Sequence, residues 1–131
     1  MSLYEAVKQA VWTVQGKLIT LLADSETIPA GSSKSYDFEI PENHTGAVIT
    51  ARLTYDASAT SGATINTYYS HDGDNFDTEA VDTLSPAFTA GETKQQSFIV
   101  ATPCKVLRIE VVNNDAGYDL TLDKLWIVTM P

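Results

Sequence analysis

From Lys17 to Thr129 the apolar residues recur at every second position, and this period constrains the fold more than any other feature of the chain. A two-residue period places alternate side chains on opposite faces of a strand. It predicts strands over Lys17–Leu22, Ser35–Ile40, Ala47–Tyr55, Thr64–Ser70, Ala80–Leu84, Gln95–Val100, Val106–Asn113 and Leu120–Thr129. These segments are rich in β-branched and aromatic residues, and most are bounded by Gly, Pro, Asn, Asp or Ser. In the third, Ala47, Ile49, Ala51, Leu53 and Tyr55 share one face. In the seventh, Leu107, Ile109 and Val111 point inward, with Arg108 and Glu110 outward. About eight short strands without interleaved helices describe an all-β, jelly-roll-like antiparallel sandwich. At 131 residues it is expected to be a single domain, residues 1–131.

The first sixteen residues follow another period. Leu3, Ala6, Val7, Ala10, Val11 and Val14 form one helical stripe, Ser2 and Glu5 have capping-box spacing, and Gly16 stands where a helix C-terminus would place it. A short N-terminal helix is expected over Leu3–Gln15, although Val11–Val14 would also suit a strand. At the other end, Leu125–Val128 is apolar on both faces, so both must be covered. A bulge near Asp123–Lys124, the helix packed on the outer face, or a neighbouring subunit would each account for it. Helix cover is the favoured explanation. A subunit interface would use Val7, Val11, Trp12, Trp126 and Val128, with the two tryptophans as anchors.

The run Ile28-Pro-Ala-Gly-Ser-Ser-Lys-Ser-Tyr-Asp-Phe-Glu-Ile recurs sixty residues later as Phe88-Thr-Ala-Gly-Glu-Thr-Lys-Gln-Gln-Ser-Phe-Ile-Val. The same shift superposes Ile49 on Ile109, Ala51 on Val111 and Ile65 on Leu125. A duplicated unit would give a pseudo-twofold sandwich; convergence on a common turn is the alternative.

Signatures of catalysis are thin. His44 and His71 have no metal-ligand spacing, no serine sits in a nucleophile elbow, and no phosphate loop or dinucleotide fingerprint occurs. Cys104 reads as a small unreactive thiol, and a single cysteine cannot form an internal disulfide. No catalytic residue is assigned, and an enzyme is not expected. The net charge of −9 argues against nucleic acid and anionic membrane as partners. There is no apolar run of membrane-spanning length and no signal-peptide pattern. The acidic stretch around Asp72, Asp74 and Asp77 is read mainly as a tight turn at Asp72-Gly73, with Phe76 returning to the core. Calcium, held by those three carboxylates, is the alternative, and no other cofactor is expected.

Two resemblances follow from these residues. Tyr69-Ser70-x-Asp72-Gly73-x-x-Phe76 resembles a turn of galactose-binding-like, discoidin-type sandwiches, and Pro103–Ile109 is similar to a strand of that fold. That resemblance implies a sandwich and leads to the alternative function, a carbohydrate-binding module. Tyr68, Tyr69, Phe76 and Tyr118 are the candidate platforms for a glycan. The N-terminal segment, the Ala-Gly-x-x-Lys strand entries at Ala30 and Ala90, and Leu53–Ala63 resemble small sandwich proteins of tailed-phage virions. This second resemblance implies a non-enzymatic structural protein, such as a capsid decoration, head fibre or tail-associated module. It would be made in the host cytoplasm and placed on the virion surface, and its partners would be its own copies or a shell protein.

Overall fold

The computed structural model describes residues 11–14 and 16–131. Their strands, in chain order, are β1 (Val11–Val14), β2 (Lys17–Ile28), β3 (Ser33–Glu39), β4 (Gly46–Tyr55), β5 (Ala63–Ser70), β6 (Asp82–Leu84), β7 (Thr93–Ala101), β8 (Val106–Asn113) and β9 (Leu120–Met130). They form two antiparallel sheets, ordered β1-β2-β9-β4-β7 and β3-β8-β5-β6. The architecture is thus the all-β sandwich that the two-residue period predicts, with one strand more than expected.

The extra strand corrects the helix assignment. Val11–Val14 pairs antiparallel with β2, from Val11 opposite Thr20 to Val14 opposite Lys17. Gly16, expected to end a helix, has φ of 76° and serves instead in the turn of a hairpin. Both roles require the left-handed region, so the glycine does not discriminate between them. The β-branched and aromatic run Val-Trp-Thr-Val favours the pleat over the helix. The rest of the expected helix, Val7 included, lies outside the described residues, and so does its expected cover of the sheet.

The sixty-residue recurrence has a counterpart in the topology. In the four-stranded sheet β3 pairs β8, β8 pairs β5, and β5 pairs β6. In the larger sheet β7 pairs β4, β4 pairs β9, and β9 pairs β2. Exchanging β2–β5 for β6–β9 converts one set of pairings into the other, so the two halves are related by a swap of sheets. Gly31 and Gly91 occupy equivalent turns, with φ of 66° and 77°, and these open β3 and β7. In each turn the following residue donates its N–H to the carbonyl two before the glycine, Ser32 to Pro29 and Glu92 to Thr89.

The inner faces of the two sheets supply the core. Ile28, Ile49, Ile65, Leu107, Ile109, Val111, Leu122, Leu125 and Ile127 are fully buried there. Burying each such side chain contributes about 1.5–3 kcal/mol relative to exposure. The apolar run in β9 is resolved by a bulge. Arg52 pairs Lys124 but Leu53 pairs Leu122, which leaves Asp123 unmatched by β4. The inward set therefore passes from Leu120 and Leu122 to Leu125 and Ile127, and Trp126 and Val128 turn outward.

Asp115, which the sequence patterns did not single out, fastens one end of the sandwich. It is 3% exposed. Its Oδ2 accepts the N–H groups of Thr60 and Ser61 at 2.7 and 3.1 Å, and its Oδ1 those of Gly117 and Tyr118 at 2.9 and 3.0 Å. Its carbonyl accepts the N–H of Gly31 at 2.8 Å. One residue thus joins the β2–β3, β4–β5 and β8–β9 connections. Led by the N–H of Thr60, these donors stabilise the charged carboxylate and hold its pKa down at about 2.

Candidate functional site

Each sheet has an outer face, and the two differ in chemistry. On the five-stranded sheet, register aligns Ile19 with Val128, Val128 with Val48, and Val48 with Ile99. Paired residues share a face, so these four make an aliphatic row across β2, β9, β4 and β7. Ile99 is 88% exposed at its end. The adjacent row aligns Leu21, Trp126, Thr50 and Ser97. Trp126 and Val128, with Ile19, Thr50 and Gln95, line a shallow hollow of about 320 Å³. Neither row contains an ionisable residue.

Two interface candidates from the sequence, Trp126 and Val128, therefore lie together on this face. Val11 and Trp12 are in β1, opposite Thr20 and Ile19. Val48 and Ile99 belong to the same row but were not anticipated, although the alternation of β4 already assigned Val48 to the outer side.

On the four-stranded sheet the outer face is polar. Glu110 of β8 accepts three hydrogen bonds: from Asn66 Nδ2 and Tyr68 Oη at its Oε1, both 3.1 Å, and from Ser33 Oγ at its Oε2, 3.3 Å. The Asn66 Oδ1 accepts from Thr83 Oγ1 at 3.0 Å. The Arg108 guanidinium donates from Nε and Nη2 to both oxygens of Asp37, at 2.8 and 3.0 Å. It also lies 3.7 Å from the centroid of the Phe76 ring, within cation–π range. Burial and the neighbouring Glu110 carboxylate both raise the Tyr68 pKa, which keeps its phenol protonated.

The four candidate glycan platforms separate. Tyr68 lies opposite Arg108 in the register with its hydroxyl on Glu110, and the Phe76 ring lies against the Arg108 guanidinium. Tyr69 instead packs against the core, with its hydroxyl donating to the Ala101 carbonyl at 2.6 Å. Tyr118 is exposed on the β8–β9 connection, near Asp115. Phe76 does not return to the core as expected: it bridges Ser70 at the sheet edge, and its ring meets Arg108 on the outer side.

The acidic turn is organised by its own backbone. Asp72 Oδ1 accepts the N–H groups of Asp74 and Asn75 at 2.8 Å each, and its Oδ2 accepts from Asn75 Nδ2 at 2.6 Å. These donors, the Asn75 N–H first, hold the Asp72 carboxyl well below the usual range. Asp77 Oδ2 accepts the N–H of Tyr69. Among the described residues, no three His, Cys, Asp or Glu side chains are grouped to hold a metal ion. Partial burial raises the pKa of Cys104, which disfavours its reactive thiolate. No described helix is long and apolar enough to cross a membrane.

No protein-family model matches the sequence, and no curated protein matches it. Solved structures share the fold. The VP2 subviral particle of infectious bursal disease virus aligns over 87% of this chain and 32% of its own, at 13% identity and a TM-score of 0.62. The enzymatically active domain of bacteriophage CBA120 tailspike protein 4 aligns over 89% of this chain and 18% of its own, at 8% identity and 0.52. A family 16 carbohydrate-binding module aligns over 91% and 80%, at 12% identity and 0.50. This chain thus spans about a third of the VP2 chain and less of the tailspike domain. What is common to all of them is the β-sandwich.

Proposed function

We propose that this protein is a non-catalytic assembly component of a virion surface, such as a capsid decoration or tail-associated module, and that it docks through the outer face of its five-stranded sheet. The observation that carries this reading is the uncharged row Ile19–Val128–Val48–Ile99, whose end residue is 88% exposed. A contiguous apolar row, half-buried at Ile19, Val128 and Val48 and exposed at Ile99, supports a site of association. The partner is a second copy of the chain. Copies of net charge −9 repel one another, and these rows offer contact without opposing like charges. Trp126, half-buried beside the hollow, is the anchor. Sharing a fold with a viral particle protein and a phage tailspike domain is compatible with the role.

Native mass across a dilution series tests this reading. The expected mass exceeds the 14.2 kDa of one chain and falls towards it on dilution. Ile99→Asp should abolish the larger species without loss of folding, because the replaced side chain is already in solvent. Trp126→Ala should weaken association by about 2 kcal/mol, roughly thirtyfold. A single-chain mass at every concentration, unchanged in both variants, would overturn self-docking.

A further inference from the structure

We infer that the outer face of the four-stranded sheet is a second binding surface, separate from the docking face, and that its ligand is a neutral sugar chain. Tyr68 of β5 is the centre of this surface. Its backbone lies opposite Arg108, but its hydroxyl reaches Glu110, two residues further along β8. Two residues of strand span about 6.5–7 Å, close to the full reach of a tyrosine. The side chain therefore leans along the strand to meet the Glu110 carboxylate. Its hydrogen bond to Glu110 fixes it there before any ligand arrives.

A ring held in this way offers an aromatic platform surrounded by oriented polar groups. Glu110 meets its hydroxyl and also accepts from Asn66, and Arg108, opposite its backbone, holds Asp37 on the far side. A pyranose has the matching surface: an apolar face of C–H groups for the ring, and a rim of hydroxyls that both donate and accept. The carboxylates of Glu110 and Asp37 would accept from those hydroxyls, and Arg108 would donate its remaining N–H groups. Arg108 is already positioned by Asp37 on one side and Phe76 on the other, so little side-chain entropy is lost on binding.

Charge selects the class of sugar. Three carboxylates on the face, those of Asp37, Glu39 and Glu110, in a chain of charge −9, disfavour uronates, sialosides and phosphorylated polymers. A sheet face presents its side chains in rows, which suits the side of an extended chain more than a single monosaccharide. Four positions carry the recognition: Tyr68 as platform, with Asn66, Arg108 and Glu110 as hydrogen-bonding groups.

The test is backbone amide shift mapping by NMR on the full chain, titrated separately with cellohexaose, mannohexaose and chitohexaose at millimolar concentrations. At least one is expected to shift residues of β5 and β8 saturably. Tyr68→Ala should weaken that binding at least tenfold, whereas Tyr68→Phe, which keeps the ring, should lose less. Ile99→Asp should leave it unchanged, which separates this surface from the docking face. No shift with any of the three, shifts confined to the five-stranded sheet, or full binding by a folded Tyr68→Ala protein would each overturn the inference.

Discussion

The two outer faces occupy equivalent positions in the repeat yet carry opposite chemistry. Shifting by sixty residues places Asn66 on Trp126, Tyr68 on Val128, Glu39 on Ile99, Val48 on Arg108 and Thr50 on Glu110. Polar positions of the smaller sheet thus become apolar in the larger one, and two uncharged positions of β4 become the guanidinium and carboxylate of β8. The inward positions behave differently. Ile49 and Ile109, Ala51 and Val111, Ile65 and Leu125 remain apolar and are all 1% exposed or less. The interior must be close-packed in both halves, and that restricts those residues to apolar side chains. Outward residues pack against solvent or a partner, so each face is free to carry its own chemistry.

One shared core thus supports two chemically distinct faces. The most severe test removes equivalent core residues. Ile49→Ala and Ile109→Ala should each cost about 2–5 kcal/mol, and denaturant unfolding should show similar losses for the pair. A cost confined to one of them would mean that the halves do not contribute equally to the interior.

Asp115 gives a sharper test, because it fastens the loops at one end and touches neither face. Its folded pKa of about 2 lies below the ordinary 3.8. Its contribution is therefore complete above about pH 4 and is lost as the pH falls towards 2. Acid titration followed by circular dichroism should show stability falling through that window. Asp115→Asn should be less stable at neutral pH and less sensitive to acid, and the outer faces of both sheets should be unchanged once it is folded. Equal acid sensitivity in the variant would remove Asp115 as the source.

The smallest effect is expected at Asp37. Its ion pair with Arg108 is substantially exposed on both sides, so Asp37→Asn should change unfolding free energy by less than about 1 kcal/mol. It should nonetheless release the guanidinium from its position over Phe76, which side-chain NMR of Arg108 would detect. A large stability loss would make the polar face part of the structural framework and blur the contrast between the faces.

Much of the architecture was legible because its cause is local. Alternation along one strand sets which residues face inward; the break at Leu125–Val128 was visible too, but it admitted a bulge, a covering helix or a neighbouring subunit, and only the register with β4 showed the bulge. The hairpin of β1 and β2 was not, since Val11–Val14 satisfies both a helical stripe and a pleat, and only pairing with Lys17–Thr20 decides between them. Of the candidate surfaces, Trp126 and Val128 could be named from their own strand. Ile99 gained meaning only when β7 was placed beside β4.

By itself, then, the sequence determined the two-residue period, the identity of the inward residues, the recurring Ala-Gly turns before two of the strands, and the net charge of −9. The tertiary structure alone decided that Phe76 turns outward to Arg108, that Asp115 joins three connections, and that Tyr68 reaches Glu110. The physical reason is the range of the interactions. Periodicity records how each strand meets the core, whereas these contacts join residues far apart in the chain, whose proximity depends on sheet order and register.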